Sequence, residues 1–212
     1  MHRKGRDADK MKTILLHGLG QTPQDWEGVV RQLSTSHVAC PPLFSPVESG
    51  VCYPQILEKL EAQYAHAHQL LCICGLSLGA MLALDFTMRH RETVAELVLI
   101  SPQYKSPTPL IDLQNLLFRS MPARCFDGIG LPKEDVIALA HSMRSLDFTP
   151  QLHTITCPVT ILCGANDLAN VGAAKRLSKR LARATLHIVP GAGHELNRCA
   201  PEVIAATLNS TP

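Results

Sequence analysis

Leu70-Leu71-Cys72-Ile73-Cys74-Gly75-Leu76-Ser77-Leu78-Gly79-Ala80-Met81-Leu82-Ala83-Leu84 is the stretch that decides the fold. Leu70 to Cys74 is an unbroken apolar run and reads as a buried strand. Ala80 to Leu84 reads as the first turns of a helix. Between them, Gly75-Leu76-Ser77-Leu78-Gly79 has the Gly-x-Ser-x-Gly spacing of a sharp strand-to-helix turn. In so tight a turn, a side chain two positions before or after the serine would collide with neighbouring backbone. The turn lifts the Ser77 hydroxyl clear of the sheet. It also aims the first amides of the helix at the same point, where negative charge is stabilised. A glycine-flanked serine alone also suits an ordinary turn. The strand before it and the helix after it favour a nucleophile.

The chain has 212 residues, 46% hydrophobic and 18% charged, with a formal net charge of +2. That length suits one well-buried domain. The small net charge gives no footprint for nucleic acid or an anionic membrane surface. No apolar run approaches a membrane span. Met1 to Lys10 lacks the apolar stretch of a secretion signal and reads as a mobile tail before a single domain over residues 11–212. Met11, directly before the first strand, is a second candidate start. Eight cysteines in a chain this long do not argue for a disulfide scaffold. Cys72, Cys74 and Cys163 lie in apolar strand runs and read as small buried hydrophobes in a reducing cytoplasm. Cys72-x-Cys74 has no partner pair at zinc spacing.

Strands and helices alternate along most of the chain. Strand patterns fall at Thr13 to Leu16, His37 to Cys40, Leu70 to Cys74, Ala95 to Ile100, Pro158 to Cys163 and Thr185 to Val189. Helical patterns cover about Gln24 to Leu33, Pro54 to Ala67, the turns after Ser77 as far as His90, Val171 to Ala182, and a final segment from Ala200-Pro201-Glu202. Such alternation predicts a parallel sheet covered on both faces. Residues 103–156 interrupt it. They hold two apolar stripes at helical spacing, Leu110, Leu113, Leu117 and Met121, then Val136, Leu139, Met143 and Leu146. The loop Cys125-Phe126-Asp127-Gly128-Ile129-Gly130 separates them. This segment reads as a small helical cap over the C-terminal edge of the sheet.

A serine hydroxyl needs a base to take its proton, and the base needs a carboxylate to hold its tautomer. Both follow Ser77 in chain order. Gly164-Ala165-Asn166-Asp167 follows one strand, so Asp167 sits at the sheet edge where Ser77 emerges. Gly191-Ala192-Gly193-His194 follows the next, and its glycines let a loop carry His194 inward. His66, His68, His90 and His141 fall on helix surfaces and His187 within a strand, so His194 is the candidate base. Asp127 and Asp147, in the cap, are the alternative acids. Two backbone amides are expected to form an oxyanion hole, those of Leu78 and of Leu19 in the loop after the first strand. His17 is read as a hydrogen-bonding anchor of that loop. Trp26 is read as packing beneath it, with pocket lining as the alternative.

Taken together, Leu15-Leu16-His17-Gly18-Leu19-Gly20, the Ser77 pentapeptide, Gly164-Ala165-Asn166-Asp167 and Gly191-Ala192-Gly193-His194 resemble the α/β-hydrolase superfamily, in its serine-nucleophile branch. The resemblance implies a mostly parallel sheet of about six strands, helices on both faces, a small helical cap, and Ser77, Asp167 and His194 as the triad. From Met11 there is no room for the two strands that usually precede the His-Gly loop, so the sheet is expected to start at the family's third strand. The expected reaction is hydrolysis of a small apolar carboxylic ester through an acyl-serine intermediate, with no metal and no cofactor. Trp26, Leu117, Phe118, Met121 and Met143 are the expected pocket residues. Thioester hydrolysis, C–C hydrolysis and a non-catalytic ligand-binding role are the alternatives on the same residues. Lyase chemistry ranks low, because the arginine that the menaquinone-pathway enzyme carries one turn past its nucleophile is here Met81. Neither a nucleic-acid nor a membrane partner is expected.

Overall fold

The computed structural model describes residues 11–44, 50–106, 108–126 and 131–210. The tail Met1 to Lys10, Asp127 and the end of its loop, and the side chains of Leu110 and Leu113 lie outside the described residues. Six strands form one sheet: β1 (Lys12–Leu16), β2 (Val38–Ala39), β3 (Leu71–Leu76), β4 (Val94–Ile100), β5 (Val159–Gly164) and β6 (Ala184–Val189). Their spatial order is β2-β1-β3-β4-β5-β6. Every neighbouring pair is parallel, as the alternation of strands and helices predicts.

A pleated strand presents successive side chains to opposite faces, and here both faces are covered. Ile14, Leu16, Leu71, Ile73, Leu97, Leu99, Ile161 and Cys163 point into one apolar layer. Leu15, Cys72, Cys74, Leu76, Val98, Ile100 and Leu162 point into the other. The first layer is filled by α2 (Tyr53–Tyr64) and α3 (Leu78–Arg89), together with residues from 103–156. The second is filled by α1 (Glu27–Val30), α7 (Leu196–Cys199) and α8 (Pro201–Asn209), joined by Trp26 from a 3₁₀ turn, Pro23–Trp26. Helix α6 (Val171–Ser178) packs beside β5 and β6. All eight cysteines are free. Burial pushes the Cys163 thiol up to about 11 and those of Cys72 and Cys74 further, as suits inert apolar packing.

The chain leaves β1 for β2 on one side and then returns to β3 on the other. The loops after β1 and β3 therefore diverge and leave a crevice between them, the place where open parallel sheets bind ligands. Two glycines let the backbone close on this crevice. A Cβ on Gly75 would lie 2.1 Å from the Gly79 carbonyl oxygen, and one on Gly79 would lie 2.1 Å from that of Leu16. The two glycines of the pentapeptide are thus fixed by backbone contact.

Residues 103–156 carry α4 (Thr108–Ser120), α5 (Lys133–Ser142) and short 3₁₀ turns, Ala123–Phe126 and Thr149–Thr154. Val136 and Leu139 are fully buried and Met143 and Leu146 pack against the same layer, as the second stripe predicts. The first stripe needs correction. Leu117 is 54% and Met121 36% exposed, and Leu116 is more exposed still. Among the described side chains of α4, Asn115 and Phe118 face inward, with Phe118 edge-on to Phe126 at 5.3 Å. The apolar residues of this helix spread over a broad face wider than one stripe, so spacing alone does not choose which part of it faces in. Hydrogen bonds pin the segment to the body, from Tyr53 N–H to Ser142 Oγ (2.9 Å) and from Gly50 N–H to Asp135 Oδ1 (2.8 Å).

Substituting Gly79→Ala is expected to lower the melting temperature, because overpacking costs about 1–3 kcal/mol even where it meets movable side chains, and here it meets backbone. Gly172→Ala serves as the contrast, since a Cβ there meets only the end of the Arg176 side chain at 3.3 Å. Thermal unfolding of the two variants checks this; equal melting temperatures would contradict it.

Candidate active site

Ser77 sits between β3 and α3 with φ 55° and ψ −110°. This is a region that a residue with a Cβ enters only under constraint, at a cost of about 1–3 kcal/mol. The constraint is visible on both sides. The Ser77 N–H donates to the Ile100 carbonyl (3.0 Å), extending the β3–β4 ladder into the turn. Its carbonyl accepts the Met81 N–H (3.1 Å), the first bond of α3. The Leu78 amide therefore belongs to the first helical turn, whose amides have no acceptor within the helix. The opposite wall is the loop after β1. The Gln21 N–H donates to the Gly18 carbonyl (3.3 Å), and Gly20 has φ 82°, which makes Gly18 to Gln21 a tight turn with Leu19 at its outer corner.

His17 anchors that loop from below. It is 1% exposed, its Nδ1 lies 2.9 Å from the Gly18 carbonyl oxygen, and its Nε2 accepts the Leu43 N–H at 3.2 Å. The hydrogen therefore sits on Nδ1. Burial lowers the pKa of His17 despite the raising influence of the Gly18 carbonyl and Asp25, which keeps the ring neutral.

Asp167 and His194 are brought together, with His194 Nδ1 2.8 Å from Asp167 Oδ2. A carboxylate only accepts, so Nδ1 carries the hydrogen and Nε2 is left free as a base. The approach of the two loops depends on Gly164, where a Cβ would lie 2.2 Å from the Gly193 carbonyl oxygen. Asp167 is 6% exposed. Burial by itself pushes its carboxyl up, but hydrogen bonds from His194 and Asn170, the polar Ser101 side chain nearby and the charge of His194 outweigh that and hold it below the ordinary value.

Several residues here carry no signal that a single sequence displays. Asn170 Nδ2 donates to both Asp167 oxygens, at 2.8 and 3.0 Å. It also lies 3.1 Å from His194 Nδ1, but both atoms are donors, so the carboxylate is its partner. Gln103 Nε2 fixes the Asn170 amide by donating to its Oδ1 at 2.8 Å. Ser101, with φ 49°, donates from Oγ to the His194 carbonyl at 3.2 Å and from its N–H to the Leu162 carbonyl at 2.8 Å. Ser101 follows Ile100, to which Ser77 is bonded, and so links the serine turn to the histidine loop. The Ser77 hydroxyl itself makes no hydrogen bond among the described residues.

The His194 side chain is 40% exposed, beside a surface depression of about 490 Å³ lined by Gly193, His194, Glu195, Arg198 and Cys199. Trp26 does not line the site. It is 0% exposed and packs with Val29, Leu196 and Ile204 in the layer opposite the one that holds Leu78 and Met81. Leu117 and Met121 face outward, whereas Phe118 and Met143 pack against the layer of Leu78 and Met81. Asp147 is bonded to Lys105 at 2.7 Å, and the carboxylate beside His194 is that of Asp167. Among the described residues, no group of three or more His, Cys, Asp and Glu is placed to hold a metal ion. No described helix is long and apolar enough to cross a membrane.

Comparisons with known proteins agree with this architecture. The chain is 39% identical over 83 residues to a protein of Caulobacter sp. (strain K31) named as the carbamate hydrolase RutD, over 38% of this chain and 31% of that one. It is 34% identical over 88 residues to a pimeloyl-acyl-carrier-protein methyl ester esterase of Aromatoleum aromaticum, over 41% of this chain and 35% of the relative. Each match thus spans about a third of the relative's length. Among solved structures, a thermophilic esterase of Thermogutta terrifontis superposes with a TM-score of 0.80 at 17% identity, covering 94% of this chain and 88% of that one, a likeness of fold. The model of the alpha/beta hydrolase family matches residues 13–207. The chain belongs to the α/β-hydrolase family.

Proposed function

We propose that the protein is a serine hydrolase that cleaves a small carboxylic ester through an acyl-serine intermediate. The observation that carries this reading is the 2.8 Å His194–Asp167 pair, joined through Ser101 to the strained turn at Ser77. In the proposed reaction, His194 Nε2 takes the Ser77 proton as Oγ attacks the ester carbonyl. Asp167 stabilises the imidazolium through Nδ1–H. The Leu19 and Leu78 amides donate to the oxyanion. His194 then gives the proton to the departing alcohol, and a water activated by the same nitrogen hydrolyses the acyl-serine. Residues 103–156 serve as the cap that encloses the acyl part, with Phe118 and Met143 on its inner side. The family membership and the esterases among the similar proteins support hydrolysis. The ester class rests on the proposal.

Ser77→Ala is expected to abolish both ester turnover and labelling by a fluorophosphonate probe while keeping the fold, a loss on the order of 10⁴- to 10⁶-fold. Unchanged turnover by the purified variant would sink the assignment.

Asp167→Asn is expected to slow turnover by roughly 10⁴-fold, because it disturbs the tautomer of His194. It also turns one acceptor of Asn170 Nδ2 into a donor, which costs about 1–3 kcal/mol of stability. The folded pKa of Asp167 is depressed, so its contribution is complete above the unfolded value near ~3.9 and is lost as pH falls through the lower folded value. Urea unfolding across acid pH should show the stability gap between wild type and variant closing in that window. A gap that stays constant down to pH ~2 would contradict the role of the carboxylate.

Across acyl chains from acetyl to dodecanoyl, kcat/KM is expected to rise roughly two- to fourfold per carbon until the pocket is full, at about 0.8 kcal/mol per buried methylene. A flat profile would mean that residues 103–156 do not enclose the acyl group.

A further inference from the structure

The loop after β1 and the segment after His194 are joined by a buried pair of amide side chains. Gln21 is 1% and Asn197 2% exposed. Gln21 Nε2 donates to Asn197 Oδ1 at 3.1 Å, and Asn197 Nδ2 donates back to Gln21 Oε1 at 3.2 Å. Gln21 Oε1 also accepts the Gly18 N–H at 3.2 Å, and Nε2 also donates to Glu195 Oε1 at 3.2 Å. Both donor hydrogens and both acceptor positions of the Gln21 amide are thus in use. An outer ring holds the pair in place, since Arg198 bonds both Glu195 oxygens at 3.0 Å and Asp25 at 2.7 Å.

What the pair connects gives it meaning. Gly18 and Gln21 close the turn whose corner is Leu19, and Glu195 directly follows His194. These loops leave β1 and β6, which are separated in the sheet by β3, β4 and β5. No strand ladder joins them, whereas Ser77, Ser101 and Asp167 ride on neighbouring strands. On the hydrolase reading above, one loop supplies an oxyanion donor and the other the base, and both must act on one carbon. A misplacement of about 1 Å costs on the order of 10²-fold.

We infer that Gln21 is a positioning residue, paired with Asn197, that holds the Leu19 amide in register with His194. The inference rests on the hydrolase reading. The test uses the full-length protein, Gln21→Leu, Asn197→Leu and the double variant, with a p-nitrophenyl ester and a fluorophosphonate probe. Gln21→Leu should lower kcat roughly 10- to 100-fold while KM stays within about twofold, because the ground-state ester does not use the oxyanion donor. Each single variant strips the remaining buried amide of part of its hydrogen bonding and should melt earlier. The double variant removes both amides and should recover part of that stability, the Gly18 N–H still lacking its acceptor. Its kcat should stay low, which separates positioning from mere support of the fold. Recovery of kcat along with melting temperature, or a Gln21→Leu enzyme at full speed, would overturn the inference alone. Failure of the probe to label the wild type would overturn the hydrolase reading and the inference with it.

Discussion

Everything at the candidate site depends on the close approach of two backbones at Gly79. There the first turn of α3 sits directly against the Leu16 and His17 carbonyls at the end of β1. No side chain fits between them. This contact brings the amide of Leu78 to the same crevice as the loop of Leu19. It also imposes the left-handed backbone of Ser77, since the chain must turn from strand to helix with no length to spare. The strain is tolerated because the apolar layer around it is large and continuous: α3 is buried along almost its whole length.

On that rigid frame, polar groups set the chemistry. Asp167 is buried and still held below its ordinary pKa, because the His194 ring and the Asn170 amide both donate to it. The Asn170 amide is itself held by Gln103, and Ser101, which donates to the His194 carbonyl, by its N–H bond to the Leu162 carbonyl. The ladder of β3, β4 and β5 passes directly into Ser77, Ser101 and Asp167. Their relative positions are therefore a property of the sheet. His194 and Leu19 follow the flanking strands β6 and β1, and side chains add to the backbone bonds that hold them: Ser101 and Asp167 for the first, His17 and Gln21 for the second.

The parallel sheet, its six strands and the glycines of the serine turn were legible in the sequence, because each follows from a local pattern. Apolar runs alternate with helical stripes, and Gly75 and Gly79 sit at fixed offsets from Ser77. The pairing of Asp167 with His194 was legible from their places after successive strands. The buried amides were not. Asn170, Gln103, Gln21 and Asn197 look like ordinary polar loop residues, and only the fold shows that Gln21 and Asn197, far apart in the chain, share a pair of hydrogen bonds. Trp26 and the outer face of α4 were open for the same reason. A largely apolar side chain such as an indole is compatible with either layer of a two-faced sheet, and a broad apolar face on a helix does not fix which part of it turns inward.

The sequence by itself thus determined the order of elements and the residues that end the strands, because backbone sterics and hydrophobic period act over a few neighbouring positions. Tertiary structure decided which side of the sheet Trp26 fills, which face α4 turns inward, and which polar groups surround Asp167 and join Gly18 to Asn197. Those choices depend on contacts between segments distant in the chain, where packing volume and unsatisfied hydrogen bonds, not local propensity, select the arrangement.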